Sequence, residues 1–338
     1  MENIFLNQSV LNTKQKYGIF IIVNNESNII EWLLHHFKLG FNYFFITDDN
    51  SNPSIKELIN DYNLNEYKYF HDKKEGKYLM DTYGKIDLNK IDILIYNNVD
   101  KTKPDHLYYL CTEKFWNFVL PIIDSNVEYL LRIDADEYLT LNKNIKTVNN
   151  IFGKYGDFDM LKINWLFFGN NNHKKINSNL IINNYTKSHN VLNRHVKCIA
   201  KVKSISYMNN PHFFIMKNNS IIKNVLNNEG DMSPFDDNVK DYQKVDLYIS
   251  HFMVQDTYSF FTRRFLKNTS NIVDIKKDNN DRDKLTSFFK NNLDNIIDYL
   301  YNSVNNIDFE CNNEYKEILI KLKQYYNIHT LFSRGLVA

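Results

Sequence analysis

Between residues 18 and 62 the sequence passes twice from an apolar run to a helical period, and this alternation limits the fold more than any other feature. Gly18-Ile19-Phe20-Ile21-Ile22-Val23 is continuous and apolar, the pattern of a strand buried on both faces. It stops at Asn24-Asn25-Glu26, and Ser27 is positioned to cap a helix whose apolar face is Ile29, Ile30, Leu33, Leu34 and Phe37, with Gly40 as its stop. A second strand, Tyr43 to Thr47, ends in Asp48-Asp49-Asn50-Ser51. A helix then starts at Pro53 and carries Ile55, Leu58, Ile59 and Tyr62 on one face. Strand–helix–strand–helix order predicts an α/β fold with parallel strands and covering helices. In such sheets function gathers beyond the carboxyl ends of the strands.

A third apolar run, Tyr129 to Ile133, ends in Asp134-Ala135-Asp136-Glu137. Residues two apart in an extended segment face the same way, so Asp134 and Asp136 are expected to aim both carboxylates at one point. Hard divalent cations take carboxylate oxygens, and magnesium is typically held by one or two carboxylates plus substrate phosphates. The pair therefore suggests a Mn2+ or Mg2+ site that grips a diphosphate; the competing reading is a turn in which the aspartates cap the next segment. Three polar clusters, at 24–26, 48–51 and 134–137, fall after three separate strands and point to one sheet edge.

The rest of the chain is less regular. Residues 72–77 are charged and read as a loop, Ile91 to Tyr96 as a short strand, and Leu107 to Ile123 as a helix leading to the acidic strand. A strand is predicted at the start of Met160 to Gly169, a basic strand-like stretch over Asn190 to Ile215, a loop over Leu226 to Asp241, and a strand over Val245 to Ile249 that leads to His251. Helical patterns follow at Asp256 to Lys267, Arg282 to Ser303 and Tyr315 to Tyr326.

Composition excludes some classes. Hydrophobic residues make up 43% and charged residues 24% of the 338, as in soluble globular proteins. A net charge of +1 provides no field for a polyanion, so a nucleic-acid partner is not expected. The three cysteines, Cys111, Cys198 and Cys311, lie far apart and form neither a disulfide framework nor a zinc motif. The expectation is a reducing compartment such as the cytoplasm, with no signal peptide and no membrane span.

Taken in order, these residues resemble the glycosyltransferases of the GT-A fold, in particular the family 92 and family 2-like group. The matching pieces are Ile22 to Glu26, Glu31 to His36, Leu39 to Phe41, Asp48 to Ser51, Arg132 to Leu139, Trp165 to Gly169, Asn193 to Lys197 and Ser250 to Phe252. The resemblance implies a Rossmann-like mixed sheet flanked by helices over residues 17–270, after an N-terminal extension at 1–16 and before a helical C-terminal region at 271–338 packed on it. It also implies transfer of a sugar from a nucleotide-sugar, with UDP as the nucleotide, to a hydroxyl on a glycan, protein or small molecule, with inversion. A nucleotide-sugar hydrolase and a catalytically silent carbohydrate- or nucleotide-binding module are the alternatives.

On this reading Asn24, Asn25, Glu26, Asp48 and Asp49 face the nucleotide, and Asp134 and Asp136 bind the metal with His251 as third ligand, His212 competing for that place. Arg194 and Lys197 hold phosphate charge, and Trp165 and Phe168 form an apolar platform for a sugar ring. Glu229 and Asp231 are the candidates for the base that takes the acceptor proton. Each has a plainer reading: loop caps for the first group, a satisfied structural histidine, a solvated basic edge, and an aromatic core strand.

Overall fold

The computed structural model describes residues 15–96, 112–142, 144–253, 255, 256 and 259. Two compact units divide the chain. The first comprises residues 1–166, 178–180 and 190–251, and the second residues 167–177, 181–189 and 252–338.

The first unit is built on a large mixed sheet. Strands β1 (Gln15–Val23), β2 (Tyr43–Asp48), β3 (Ile91–Ile95) and β4 (Val127–Arg132) are parallel, and β1 lies between β2 and β4. Their helices are α1 (Ile29–Lys38), α2 (Ile55–Leu64), α3 (Lys73–Tyr83) and α4 (Glu113–Asn126). Beyond β4 come β5 (Glu137–Leu141), α5 (Val148–Tyr155), β6 (Met160–Phe167) and β7 (Asn193–Lys201). The short strands β8 (Ile205–Tyr207), β9 (Ile215–Met216) and β10 (Ile222–Asn224) follow, then β11 (Leu247–His251). The strand order is β3-β2-β1-β4-β7-β6-β11-β5, with β10 on β6 and a separate β8–β9 pair. β7 runs antiparallel to both β4 and β6, so the sheet is mixed, as in a Rossmann-like GT-A fold. Because β7 reverses twice, β4 and β6 point the same way, and the start of β7 lies at their carboxyl ends.

The apolar runs go where the sequence directs them. All six residues of β2 and all eight of β6 are buried. Phe20, Tyr43, Phe45, Trp116, Leu130, Val196 and Phe214 belong to one core cluster on the sheet. Several boundaries differ from those expected. Asn28, not Ser27, occupies the cap position of α1. Helix α2 starts after Ser54, which forms a reciprocal capping box with Glu57, so Pro53 lies outside the helix. Residues 73–77 begin helix α3 instead of a loop, with Asp72 accepting from the Lys74 N–H at 2.8 Å. That helix buries only Gly76 and Leu79, too few apolar positions to show a period. The basic stretch after Asn190 holds β7 and β8, and the last strand ends at His251 instead of Ile249. The helical patterns at 282–303 and 315–326, most of that at 256–267, and residues 107–111 of the earlier one lie outside the described residues.

β5 ends the strand order, and its outer edge is closed by side chains of α1. Trp32 Nε1 donates to the Glu137 carbonyl at 2.9 Å, and His35 Nε2 donates to the Leu139 carbonyl at 2.8 Å. His36 accepts from the Leu139 N–H at 3.3 Å through Nε2, while its Nδ1 donates to the Trp32 carbonyl at 2.8 Å. An open strand edge is otherwise a row of unpaired donors and acceptors. In the second unit, Gly169 N–H donates to the Lys187 carbonyl at 2.9 Å, and Asp256 ties together the Tyr185 hydroxyl and Ser259.

Candidate cation and nucleotide site

The turn between β4 and β5 carries the candidate site. Strand β4 ends at Arg132, residues 133–136 turn, and Glu137 N–H donates to the Asp134 carbonyl at 3.1 Å. The turn breaks the extended geometry on which a shared direction for Asp134 and Asp136 depends, so the two carboxylates meet different partners. Asp134 Oδ1 accepts from Arg132 Nη1 at 2.8 Å, and its Oδ2 accepts from Lys197 Nζ at 2.7 Å. Asp136 Oδ1 instead faces His251 Nε2 at 3.7 Å. This meeting follows from register, because His251 at the end of β11 pairs with Glu137 at the start of β5.

Beneath the turn lies a buried ionic cluster. The Lys197 side chain is 0% exposed, and its ammonium also reaches the Pro211 carbonyl at 3.0 Å and Glu137 Oε2 at 3.2 Å. The ammonium thus donates to Asp134 and to the Pro211 carbonyl and pairs by charge with Glu137. Arg132 Nη1 also donates to the Pro211 carbonyl, at 3.0 Å, so both cations anchor the loop that carries His212. Glu137 Oε2 accepts from the Asp134 N–H at 2.8 Å, whereas Oε1 is buried with no hydrogen-bond partner among the described residues. Full burial at Glu137 and loss of part of its solvent at Asp134, whose side chain is 42% exposed, favour the neutral form of both acids. At Asp134 the attraction of Arg132 and Lys197 outweighs this loss and holds the carboxyl well below the usual range. At Glu137 burial prevails over Lys197 and raises the carboxyl above its usual value.

Around the pair stands an aromatic group. Trp165 stacks on His195 with centroids 5.0 Å apart, and lies 5.1 Å from His212 and 4.4 Å from His251. At 8% exposure, Trp165 is a buried spacer between imidazoles, not an open face for a sugar. Phe168 belongs to the second unit, where it packs on Phe252 at 4.7 Å. Burial, reinforced by the Lys197 charge, lowers the His212 pKa to about 3 and keeps that ring neutral.

The loops after β1 and β2 are tied to each other. Asn24 Nδ2 donates to the Asp49 carbonyl at 2.7 Å, and the Asn25 N–H donates to Ser51 Oγ at 3.0 Å. Asn25 Oδ1 accepts from the Asn52 N–H at 2.8 Å. Asp48 spends both oxygens on backbone, accepting from Ser51 N–H at 2.9 Å and Ile55 N–H at 3.0 Å. Asp49 is buried and Glu26 half-buried beside them. Arg194 is exposed, 3.7 Å from Asp237, with its guanidinium over Phe235 at 4.2 Å. Glu229 is exposed and its backbone forms an isolated antiparallel bridge with Lys223, while Asp231 accepts from the buried Lys162 at 2.6 Å.

Asp136 and His251 are close enough for one divalent cation to contact both at ordinary ligand distances of about 2.1 Å. No group of three or more His, Cys, Asp or Glu side chains able to hold a metal occurs among the described residues. Further ligands to such an ion would come from phosphate and water. The residue that sequence reasoning missed is Arg132, the partner of Asp134. An arginine within an apolar run, two residues before a carboxylate, was the available signal.

No family model matches the chain, and no curated protein is similar to it. The resemblance to the family 92 and family 2-like group therefore rests on the motifs alone. Among solved structures, the chain is similar to the X-ray structure of the mannosyltransferase Ktr4p from S. cerevisiae in complex with GDP, at 12% identity and a TM-score of 0.25. The match covers 52% of this chain and 47% of that one, so the chain spans about half of that protein's length. A likeness this distant carries no inference about activity. No helix among the described residues is long and apolar enough to cross a membrane.

Proposed function

We propose that the chain is a metal-dependent glycosyltransferase that moves a sugar from a nucleotide-sugar, UDP-sugars first among them, to a hydroxyl acceptor. The observation that carries this reading is the approach of Asp136 and His251 to 3.7 Å, beside the carboxyl ends of β4 and β6. Asp136 and His251 would hold Mn2+ or Mg2+ in this scheme, and such an ion would supply positive charge against a nucleoside diphosphate leaving group. Asp134, kept ionised by Arg132 and Lys197, accepts hydrogen bonds from donor hydroxyls through its solvent-facing edge; its side chain is 42% exposed. The loops at 24–26 and 48–49 form the wall for base and ribose. Lys197, fully buried and engaged by Asp134, Pro211 and Glu137, shapes the acidic turn and leaves phosphate contact to Arg194.

Displacement at the anomeric carbon with inversion needs one base for the acceptor proton. Neither sequence candidate is assigned this role, because Lys162 holds the Asp231 carboxylate and Glu229 pairs with Lys223 beside the start of β6, away from its carboxyl end. The test is release of UDP from a panel of UDP-sugars with Mn2+, with and without glycan, peptide and small-molecule acceptors. The proposal requires release that depends on both metal and acceptor. Release that ignores the acceptor makes the chain a hydrolase, and no release with any sugar or metal refutes enzymatic transfer.

A further inference from the structure

Helix α1 opens with an asparagine whose side chain is diverted from its usual task. Asn28 occupies the N-cap position, yet its side chain makes no capping hydrogen bond. Asparagine is among the strongest capping residues, and losing such a cap costs a helix about 1 kcal/mol. Here Asn28 Nδ2 donates to the Ala135 carbonyl at 2.7 Å and to the Tyr138 hydroxyl at 3.0 Å. Ala135 is the residue between the two aspartates, so this amide grips the centre of the acidic turn. Asn28, Ala135 and Tyr138 are all buried, at 4%, 5% and 1% exposure. In such surroundings no water stands ready to replace the lost donor.

Position on the helix sets Asn28 apart from its neighbours. Residues 28, 32, 35 and 36 form one stripe of α1, and they bond to residues 135, 137 and 139 along the edge of β5. Trp32, His35 and His36 hold the strand itself; Asn28 alone of the four reaches the turn. It also stands directly beside the loop after β1, because the next residue, Ile29, donates its N–H to the Glu26 carbonyl at 3.4 Å.

We propose that Asn28 is a positioning residue for the acidic turn: it fixes the Ala135 peptide so that Asp134 stays on Arg132 and Lys197 while Asp136 stays on His251, and it links the loop at 24–26 to the cation pair. The effect on ligand affinity rests on the reading that Asp136 and His251 hold a cation. The effect on the turn does not.

The experiment compares Asn28→Ala, Asn28→Asp and His35→Phe in the full chain. Asn28→Asp keeps the size and the capping ability but cannot donate, which covers the case in which the alanine variant fails to fold. His35→Phe keeps the ring and removes a bond further along the same edge. Backbone amide exchange over 134–137 is read by mass spectrometry, and Mn2+-dependent UDP affinity by calorimetry. Both Asn28 variants should speed exchange in this segment about ten-fold and weaken UDP binding by a similar factor, the scale of one or two buried hydrogen bonds. His35→Phe should leave both within about two-fold of the wild type. Wild-type exchange in the Asn28 variants, or an equal effect from His35→Phe, overturns the proposal. Absence of Mn2+-dependent UDP binding in the wild type counts against the proposed function, and the exchange result then decides the role of Asn28 by itself.

Discussion

Replacing Lys197 with methionine should be among the most costly single changes in the sheet. The ammonium is fully buried and touches Asp134 at 2.7 Å, the Pro211 carbonyl at 3.0 Å and Glu137 at 3.2 Å. Asp134 keeps Arg132 after the change, but Glu137, also 0% exposed, loses its direct ion-pair partner. Removing one partner of a buried pair costs about 3–5 kcal/mol, most of it the stranded charge. Burial already raises the Glu137 carboxyl above its usual value and Lys197 opposes that rise, so the variant pushes it higher still.

The sign of the pH effect follows. A carboxyl raised in the folded state contributes stability that is present below its unfolded value, near 4.5, and lost as pH rises through the folded value. The penalty of Lys197→Met should therefore be smallest near pH 4.5 and grow toward pH 8. Adding Glu137→Gln removes the stranded charge and should recover at least half of the loss. Urea unfolding followed by tryptophan fluorescence measures this, since Trp32, Trp116 and Trp165 all belong to the unit that holds the sheet. A loss below about 1 kcal/mol, a penalty flat with pH, or no rescue by Glu137→Gln would refute the account of the cluster.

Other expectations concern the same framework. Burial lowers His35 to about 4, a depressed value, so its contribution is present above pH 6.5 and lost as pH falls through the folded value. That drop is worth about 3 kcal/mol between pH 6.5 and 4, and His35→Phe should flatten the acid limb of a stability–pH curve. Ser54→Ala opens the capping box of α2 and should cost about 1 kcal/mol in the same urea assay; an unchanged midpoint would mean the box contributes nothing.

How far the sequence could be read depended on whether its signal was local. The alternation from Gly18 to Tyr62 carries the α/β architecture, because continuous apolar runs and helical periods are both visible within a short window. The place of β7 between β4 and β6 was not legible, since nothing local in Asn193 to Lys201 states which strands it joins. Helix α3 was hidden by its exposed, charged face. In the site, Asp136 and His251 come within 3.7 Å, a pairing the sequence offers only through the resemblance. The different partners of the two aspartates are not legible there, because a turn and a buried arginine decide them. Lys197 reads in sequence as a cation at a basic strand edge, and only its complete burial shows that it serves the acidic turn. Asn24, Asn25 and Asp48 make the capping and loop-tying bonds that asparagine and aspartate favour in turns.

The central claim is that Asp136 and His251 gather a cation, and through it a nucleotide-sugar, at the carboxyl edge of the sheet. The most direct measurement is thermal stabilisation of the wild type and of Asp136→Asn by a panel of nucleotide-sugars, each with and without Mn2+. A ligand that binds only the folded chain at a hundred times its Kd adds about 2.7 kcal/mol, a readily detected rise in Tm. The account predicts a rise with at least one nucleotide-sugar that needs Mn2+ and vanishes in Asp136→Asn. No rise with any of them, or one that survives the substitution undiminished, would contradict it.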